Sequence, residues 1–254
     1  MTERLTISNE LFVDFIRKST LEGEISQLLL TQTDLGYNVN VVSENVITCF
    51  GTLLKKNFTM FGKVGNITIK DVKKFIAMLK DFAGNVVIER KENKIIIYFE
   101  KTEIEYVLCS EEFIETTLKE DVDIEFDSGF KLNKDFLTNL ISKANLLDVS
   151  SITLKVENNI LRGIVEETDK ITIKEEVNYK NCVSSFGRWL FKLSRFLEEK
   201  INVSFDENYP IKIVSKNTNF QLTYIIAPFV KTEETIEEET EEEKEEERKQ
   251  KEDD

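Results

Sequence analysis

The chain has 254 residues, 41% of them hydrophobic, and a formal net charge of −14 from 34 basic and 48 acidic side chains. Such a length and apolar content can bury a full core, in one large domain or two of ordinary size. No apolar run approaches the ~18 residues that cross a bilayer and no basic-then-apolar leader is present, so an intracellular protein with no membrane partner is expected. Histidine is absent, which removes the commonest general base at neutral pH and most zinc sites that are not all-cysteine. Cys49, Cys109 and Cys182 are odd in number, widely spaced and set among apolar neighbours. They are expected as buried reduced thiols, with no metal and no cofactor.

In chain order, residues 8–19 predict a helix whose apolar stripe is Leu11, Phe12, Phe15 and Ile16, with Arg17 and Lys18 off the stripe. Strand-like segments rich in β-branched and aromatic residues follow at 25–31, 37–42 and 46–53. A second helix is predicted over 71–82, where Val72, Phe75, Ile76 and Leu79 make the stripe and Lys73, Lys74 and Lys80 lie off it. Strands at 86–90 and 95–99 flank the turn Arg90-Lys91-Glu92-Asn93-Lys94, and residues 110–129 run acidic and irregular as a connector. A third helix over 133–145 buries Phe136, Leu137 and Leu140 between Lys134 and Lys143. Strands are predicted at 151–157, 160–166 and 170–178. A fourth helix spans 186–199, with Trp189, Leu190, Leu193 and Leu197 inward and Arg188, Lys192 and Arg195 outward, and strands follow at 201–205, 211–215 and 221–226.

Any surface helix carries lysines, but four helices that all hold their cations off the apolar stripe, in an acidic chain, point to a polyanion such as DNA. The chain also repeats itself. Ile7-Ser8-Asn9-Glu10-Leu11-Phe12-Val13-Asp14-Phe15-Ile16 matches Leu132-Asn133-Lys134-Asp135-Phe136-Leu137-Thr138-Asn139-Leu140-Ile141 without a gap: an apolar residue, a Ser or Asn able to cap a helix, an acid in the first turn, then the same apolar spacing. Val72, Phe75, Ile76 and Leu79 match Phe186, Trp189, Leu190 and Leu193 in the same way. Internal duplication produces such a pattern, and each half reads strand, helix, several strands, helix, several strands. The fold class is therefore α+β: two similar domains of antiparallel sheets with two helices each, at 1–109 and 130–230 around the 110–129 connector. From Lys231 to Asp254, 14 residues are acidic and 5 basic with almost nothing apolar. This stretch is expected to be disordered, as a solubilising tail or an acidic interaction arm.

With these features assembled, the chain resembles the sliding clamps of DNA replication, the PCNA family. Two local motifs carry the likeness: Val183-Ser184-Ser185-Phe186-Gly187, similar to the family's entry into its last helix, and Tyr209-Pro210-Ile211-Lys212-Ile213 followed by Leu222-Thr223-Tyr224-Ile225-Ile226-Ala227-Pro228, similar to its closing strands. The likeness spans roughly residues 4–230. Two departures stand out: Val42-Ser43-Glu44-Asn45-Val46 is shorter than the family's acidic loop, and Phe229 stands where a basic residue is common.

The resemblance implies a non-enzymatic ring of three subunits, a homotrimer or a heterotrimer, around duplex DNA. It implies a lining of Arg17, Lys18, Lys73, Lys74, Lys80, Lys134, Lys143, Arg188, Lys192 and Arg195, which would contact phosphates without reading sequence. Subunits would pair through Glu103, Ile104, Tyr106, Val107 and Cys109 on one side and Ile173, Glu175, Val177 and Tyr179 on the other, segments that taken alone are equally well ordinary edge strands. Polymerases and repair enzymes would dock short hydrophobic peptides against Val46, Phe113, Ile114, Leu118, Pro210, Ile225, Ala227 and Pro228, most of which also read as plain core. No GxxxxGK[ST] phosphate loop occurs, so an ATP-driven loader would be a separate protein. The competing reading is an acidic-tailed chaperone or DNA mimic that forms no ring; it accounts for the glutamates but not for the duplicated helices.

Overall fold

The computed structural model describes residues 3–43, 46–114, 125–126, 129–166 and 169–229. The first half runs β1 (Arg4–Ser8), α1 (Asn9–Ser19), β2 (Leu28–Thr33), β3 (Gly36–Ser43), β4 (Ile47–Leu54), β5 (Phe58–Phe61), β6 (Ile67–Ile69), α2 (Val72–Leu79), β7 (Asn85–Lys91), β8 (Lys94–Phe99) and β9 (Thr102–Val107). The second runs β10 (Phe130–Asn133), α3 (Lys134–Leu146), β11 (Ile152–Glu157), β12 (Ile160–Glu166), β13 (Lys170–Glu176), β14 (Cys182–Phe186), α4 (Arg188–Leu193), β15 (Lys200–Ser204), β16 (Ile211–Lys216) and β17 (Phe220–Ile226). Set side by side, the two orders coincide except for β5, which has no counterpart among the described residues. The duplication visible in the two helix motifs therefore extends through the strands.

The caps form as the repeat implies. Ser8 Oγ accepts from Leu11 N–H at 3.3 Å, and the aligned Asn133 Oδ1 accepts from Asp135 N–H at 3.0 Å. Asp71 caps α2 through Lys74 N–H at 2.9 Å. The fourth helix is shorter than its apolar period: Phe186 belongs to β14, Gly187 is the N-cap, and the helix tightens after Leu193 into a 3-10 turn over Ser194–Phe196. Ser194 Oγ donates to Phe191 C=O at 2.9 Å, so a side chain occupies a carbonyl at the point where the helix tightens.

Among the described residues three antiparallel sheets result, ordered β5-β1-β7-β8-β9, β10-β15-β16-β17-β4-β3-β2-β6 and β13-β12-β11-β14. The middle one crosses between the halves, because β17 of the second pairs with β4 of the first from Phe220↔Leu53 to Ile226↔Ile47. Strand alternation puts Ile47, Cys49, Leu53, Phe220, Leu222, Tyr224 and Ile226 on the buried face of that seam, where they join one continuous core spanning both halves. Tyr224 is fully buried and its hydroxyl donates to Lys18 C=O at 3.1 Å, tying the seam to the end of α1.

Gly51 lies in the seam opposite Leu222. A Cβ there would sit 2.3 Å from Leu222 Cδ2 and 2.9 Å from Gln221 C=O, so any side chain forces the two strands apart. Gly51→Ala is expected to lower stability by about 1–3 kcal/mol in urea unfolding; an unchanged midpoint would mean that the two strands do not approach this closely.

Candidate nucleic-acid interface

The four helices form a connected surface. Asn9 Nδ2 donates to Leu79 C=O at 2.7 Å and to Phe82 C=O at 2.8 Å, which clasps α1 to the end of α2. In the second half, α3 packs on the 3-10 turn that follows α4. Two carboxylates that lie off the helices then join the halves across this surface. Glu24 pairs with Lys73 of α2 at 3.5 Å and with Lys192 of α4. Glu198 accepts from Lys18 of α1 at 2.8 Å, and Lys18 is also 3.1 Å from Asp14.

Glu24 reaches this position through a left-handed turn, with φ of 51° at Leu21, 62° at Glu22 and 84° at Gly23. Two non-glycine residues in this region cost roughly 1–2 kcal/mol each. Leu21 is buried in the core, Glu22 pairs with Arg17 at 2.8 Å, and Thr20 Oγ1 closes the helix end on Ile16 C=O at 2.7 Å. Those interactions hold the strained backbone in place.

The ten cations expected to face DNA thus separate into groups. Arg17, Lys18, Lys73 and Lys192 are already engaged with Glu22, Glu198 and Asp14, or Glu24. Lys18 is the most deeply held: its side chain is only 19% exposed and it also lies 5.3 Å from the Phe220 ring. Lys134 sits nearby and contributes a longer-range attraction to Glu198. Arg17 and Lys80 line a common 400 Å³ groove with Glu10 and Asp14. Lys74, Lys80, Lys143 and Arg195 are exposed, with no ion pair among the described residues. Arg188 stands over Trp189, 5.7 Å from its ring, and lines a different cavity.

That second cavity, of 460 Å³, is lined by Val46, Ser150, Gly187, Arg188, Trp189, Ile226, Ala227, Pro228 and Phe229. The segment after β17 makes it: Ala227 N–H donates to Val46 C=O at 2.8 Å and Phe229 N–H to Ser185 C=O at 2.7 Å, so the strap leaves the seam and crosses onto β14. Of the residues expected around a partner pocket, Val46, Ala227 and Pro228 come together here. Ile225 is the half-buried neighbour on β17, Pro210 is half-buried before β16, Ile114 is buried, Phe113 is 67% exposed, and none of these four lines the cavity. Leu118 lies outside the described residues, as do the 231–254 tail and most of the 110–129 connector. Trp189 and Phe229 join the lining without a sequence signal, because Trp189 reads as helix core and Phe229 lies beyond the last strand.

The segments expected at subunit edges extend beyond the outer strands themselves. β9 and β13 are indeed outer strands of their sheets, but β13 ends at Glu176. Val177 is buried and bonded to Asn159 C=O, and Tyr179 packs on Phe130 with its hydroxyl donating to Phe205 C=O at 2.9 Å. Both serve their own chain's core. Cys109 lies past β9, where its carbonyl accepts from Thr68 Oγ1 at 2.7 Å. The other thiols are buried and kept protonated: burial pushes Cys49 well above its ordinary range and Cys182 to about 11.

The Lys18–Glu198 pair has a defined pH signature. Burial alone would lower Lys18 and raise Glu198, but their mutual hydrogen bond, with help from Asp14 and Asn217, outweighs it. Glu198 is held below its ordinary 4.5 and Lys18 above its ordinary 10.5. The link therefore stabilises the fold between those values and fades as pH falls through the lowered Glu198 pKa or rises through the raised Lys18 pKa. Lys18→Ala should cost about 1–2 kcal/mol at neutral pH. Urea unfolding across the pH range should show that cost shrinking at both extremes; a pH-independent cost would locate the effect in packing on Phe220.

No protein-family profile matches the chain and no curated protein matches it. Solved structures do. The proliferating cellular nuclear antigen from Entamoeba histolytica superposes with a TM-score of 0.74 at 15% identity, covering 90% of this chain and 99% of that one. PCNA from A. fulgidus, solved with the C-terminal region of FEN-1 bound, gives 0.76 at 17%, covering 92% and 100%. The PCNA2–PCNA3 complex from Sulfolobus tokodaii gives 0.69 at 18%, covering 89% and 98%. At these identities the likeness establishes the fold: the chain has the α+β architecture of the PCNA sliding clamps.

Proposed function

We propose that this protein is a DNA sliding clamp, a processivity factor whose subunits close into a three-membered ring around duplex DNA and tether replication and repair enzymes to it. The observation that carries this reading is the clamp fold over about nine-tenths of the chain, coupled to a helical surface on which several cations are left without an ion pair among the described residues. Retention is topological: a closed ring leaves the duplex only at an end, so strong attraction is unnecessary. The pairing of Arg17, Lys18, Lys73 and Lys192 within the protein fits this requirement, since those charges are partly neutralised before DNA arrives. Lys74, Lys80, Lys143 and Arg195 remain to meet phosphates, and electrostatic attraction of that kind is independent of sequence and lets the ring move.

The chain itself performs no chemistry in this reading. A bound polymerase gains because tethering raises its effective concentration at the DNA. The cavity beneath the Ala227–Pro228–Phe229 strap is the docking site for a partner's hydrophobic peptide, and an ATP-driven loader opens the ring. The acidic tail beyond Lys231 keeps DNA away from the outer surface while the ring is loaded.

Three measurements test this. The protein should stay on closed circular DNA and run off a linear duplex of the same length; equal loss from both would overturn the ring. Replacing Lys74, Lys80, Lys143 and Arg195 by alanine should weaken retention and flatten its log–log salt dependence, by up to about 0.9 for each phosphate that is no longer neutralised, with unfolding unchanged. Deleting residues 231–254 should leave polymerase stimulation intact and increase loading at low salt. Loss of all activity on that deletion would favour an acidic chaperone.

A further inference from the structure

The chain continues beyond its described fold from one defined place. Phe229, the last of the described residues, donates its N–H to Ser185 C=O at 2.7 Å and lays its ring against Gly187, the N-cap of α4. Residues 230–254 therefore start beside the helical surface. After three spacer residues comes a block, 233–247, of 11 glutamates and one lysine. The basic run behind it, Arg248-Lys249-Gln250-Lys251, offers three cations, too few to match that charge.

The helical surface carries the complement. Lys74 on α2, Lys80 at its end, Lys143 on α3 and Arg195 in the turn after α4 are exposed and have no ion pair among the described residues. The same surface already accepts carboxylates from outside the helices, Glu24 on Lys73 and Lys192 and Glu198 on Lys18. Those loop carboxylates engage the cations nearest them and leave out the four above. Reach does not limit the acidic block. Arg195 lies seven residues along the chain from Arg188, roughly 10–14 Å in helical geometry. The 18 residues of 230–247 extend up to ~60 Å, more than the ~30–40 Å that four helices cover side by side.

We infer that the resident occupant of these four cations is the chain's own acidic block, 233–247, and that duplex DNA displaces it. The contact stands apart from the clamp reading; only the identity of the displacing polyanion rests on that reading. Tethering gives the block an effective concentration in the millimolar range at the helices beside its root. Individually weak exposed pairs then form together at low salt and dissolve as salt screens them. DNA carries a denser charge, one per ~1.7 Å of duplex, and takes the cations in exchange. Binding then releases glutamates from the helices in place of part of the small ions that a bare DNA–cation contact would release. The block consequently weakens attraction most at low salt and flattens its salt dependence. It acts on the same surface and in the same sense as Glu24 and Glu198, with the difference that it can leave. Once displaced, it is free to screen the outer surface, the role given to the tail above.

The test treats the full-length chain with a water-soluble carbodiimide, which joins carboxylates to lysines in direct contact, and maps the links by mass spectrometry. Links should run from 233–247 to Lys74, Lys80 and Lys143 at about 50 mM salt, and fall about fivefold or more at about 0.5 M salt or when a short linear duplex is added. Duplex affinity is measured against salt in parallel. Deleting 231–254, or replacing the 11 glutamates of the block by glutamine, should raise affinity about tenfold at ~50 mM salt and little at ~300 mM, steepening the log–log slope by up to about 0.9 for each cation uncovered. The glutamine variant keeps the length and bulk of the tail, so it separates charge from obstruction. Links that are absent or confined to lysines of the strands overturn the contact, and links that persist with duplex bound overturn the exchange. Retention on circular DNA is measured separately, so the clamp reading survives either failure; a chain that shows the links but binds no duplex keeps the contact and loses that reading.

Discussion

The pairing of β17 with β4 is the constraint on which the molecule depends. Each half alone would end in an open sheet with an unsatisfied edge, and each would have to close its core separately. Zipping the two strands together removes both edges and merges the apolar faces into one interior, from Ile47 and Tyr224 to Phe15 against Phe220. The cost is a close backbone approach that only Gly51 permits. Everything on the helical side is positioned relative to this seam. Lys18 is held over Phe220 and its carbonyl is bonded to Tyr224, so the end of α1 is fixed by the strand that belongs to the other half.

The second organising principle is electrostatic restraint. The helical surface carries cations, but it is laced with carboxylates from loops. Glu24 and Glu198 each reach across the halves to hold a lysine of the other half. Such links fix the relative placement of the helices and reduce the positive field at the same time. In the clamp function proposed above a shallow attraction would be an advantage, because deep electrostatic minima would resist movement along a duplex.

Local and repeated signals are legible in the sequence; long-range ones are not. The stripes of α1 and α3 and their Ser8 and Asn133 caps depend on residues within one or two turns, and the pattern recurs 125 positions later. Short strands such as β5, β6 and β10 are implied at most by the element order, since three or four residues give too little alternation to locate. The apolar period overstates the extent of α4 because Phe186 and Leu197 keep that period while belonging to a strand and an extended segment. Val177 and Tyr179 continue the pattern of β13 but turn inward after Glu176, a change set by Asn159 and Phe205 elsewhere in the chain. Glu198 on Lys18 and Glu24 on Lys192 are invisible for the same reason, being 180 and 168 positions away.

The strap formed by Ala227, Pro228 and Phe229 does two jobs with one backbone. It seals the end of the seam, through Val46, and it roofs the apolar cavity, through Ser185. A guest pressed into that cavity would push on the same residues that button the two repeats together. Binding there would therefore also add to the stability of the half-to-half joint, since a ligand stabilises the folded arrangement it contacts.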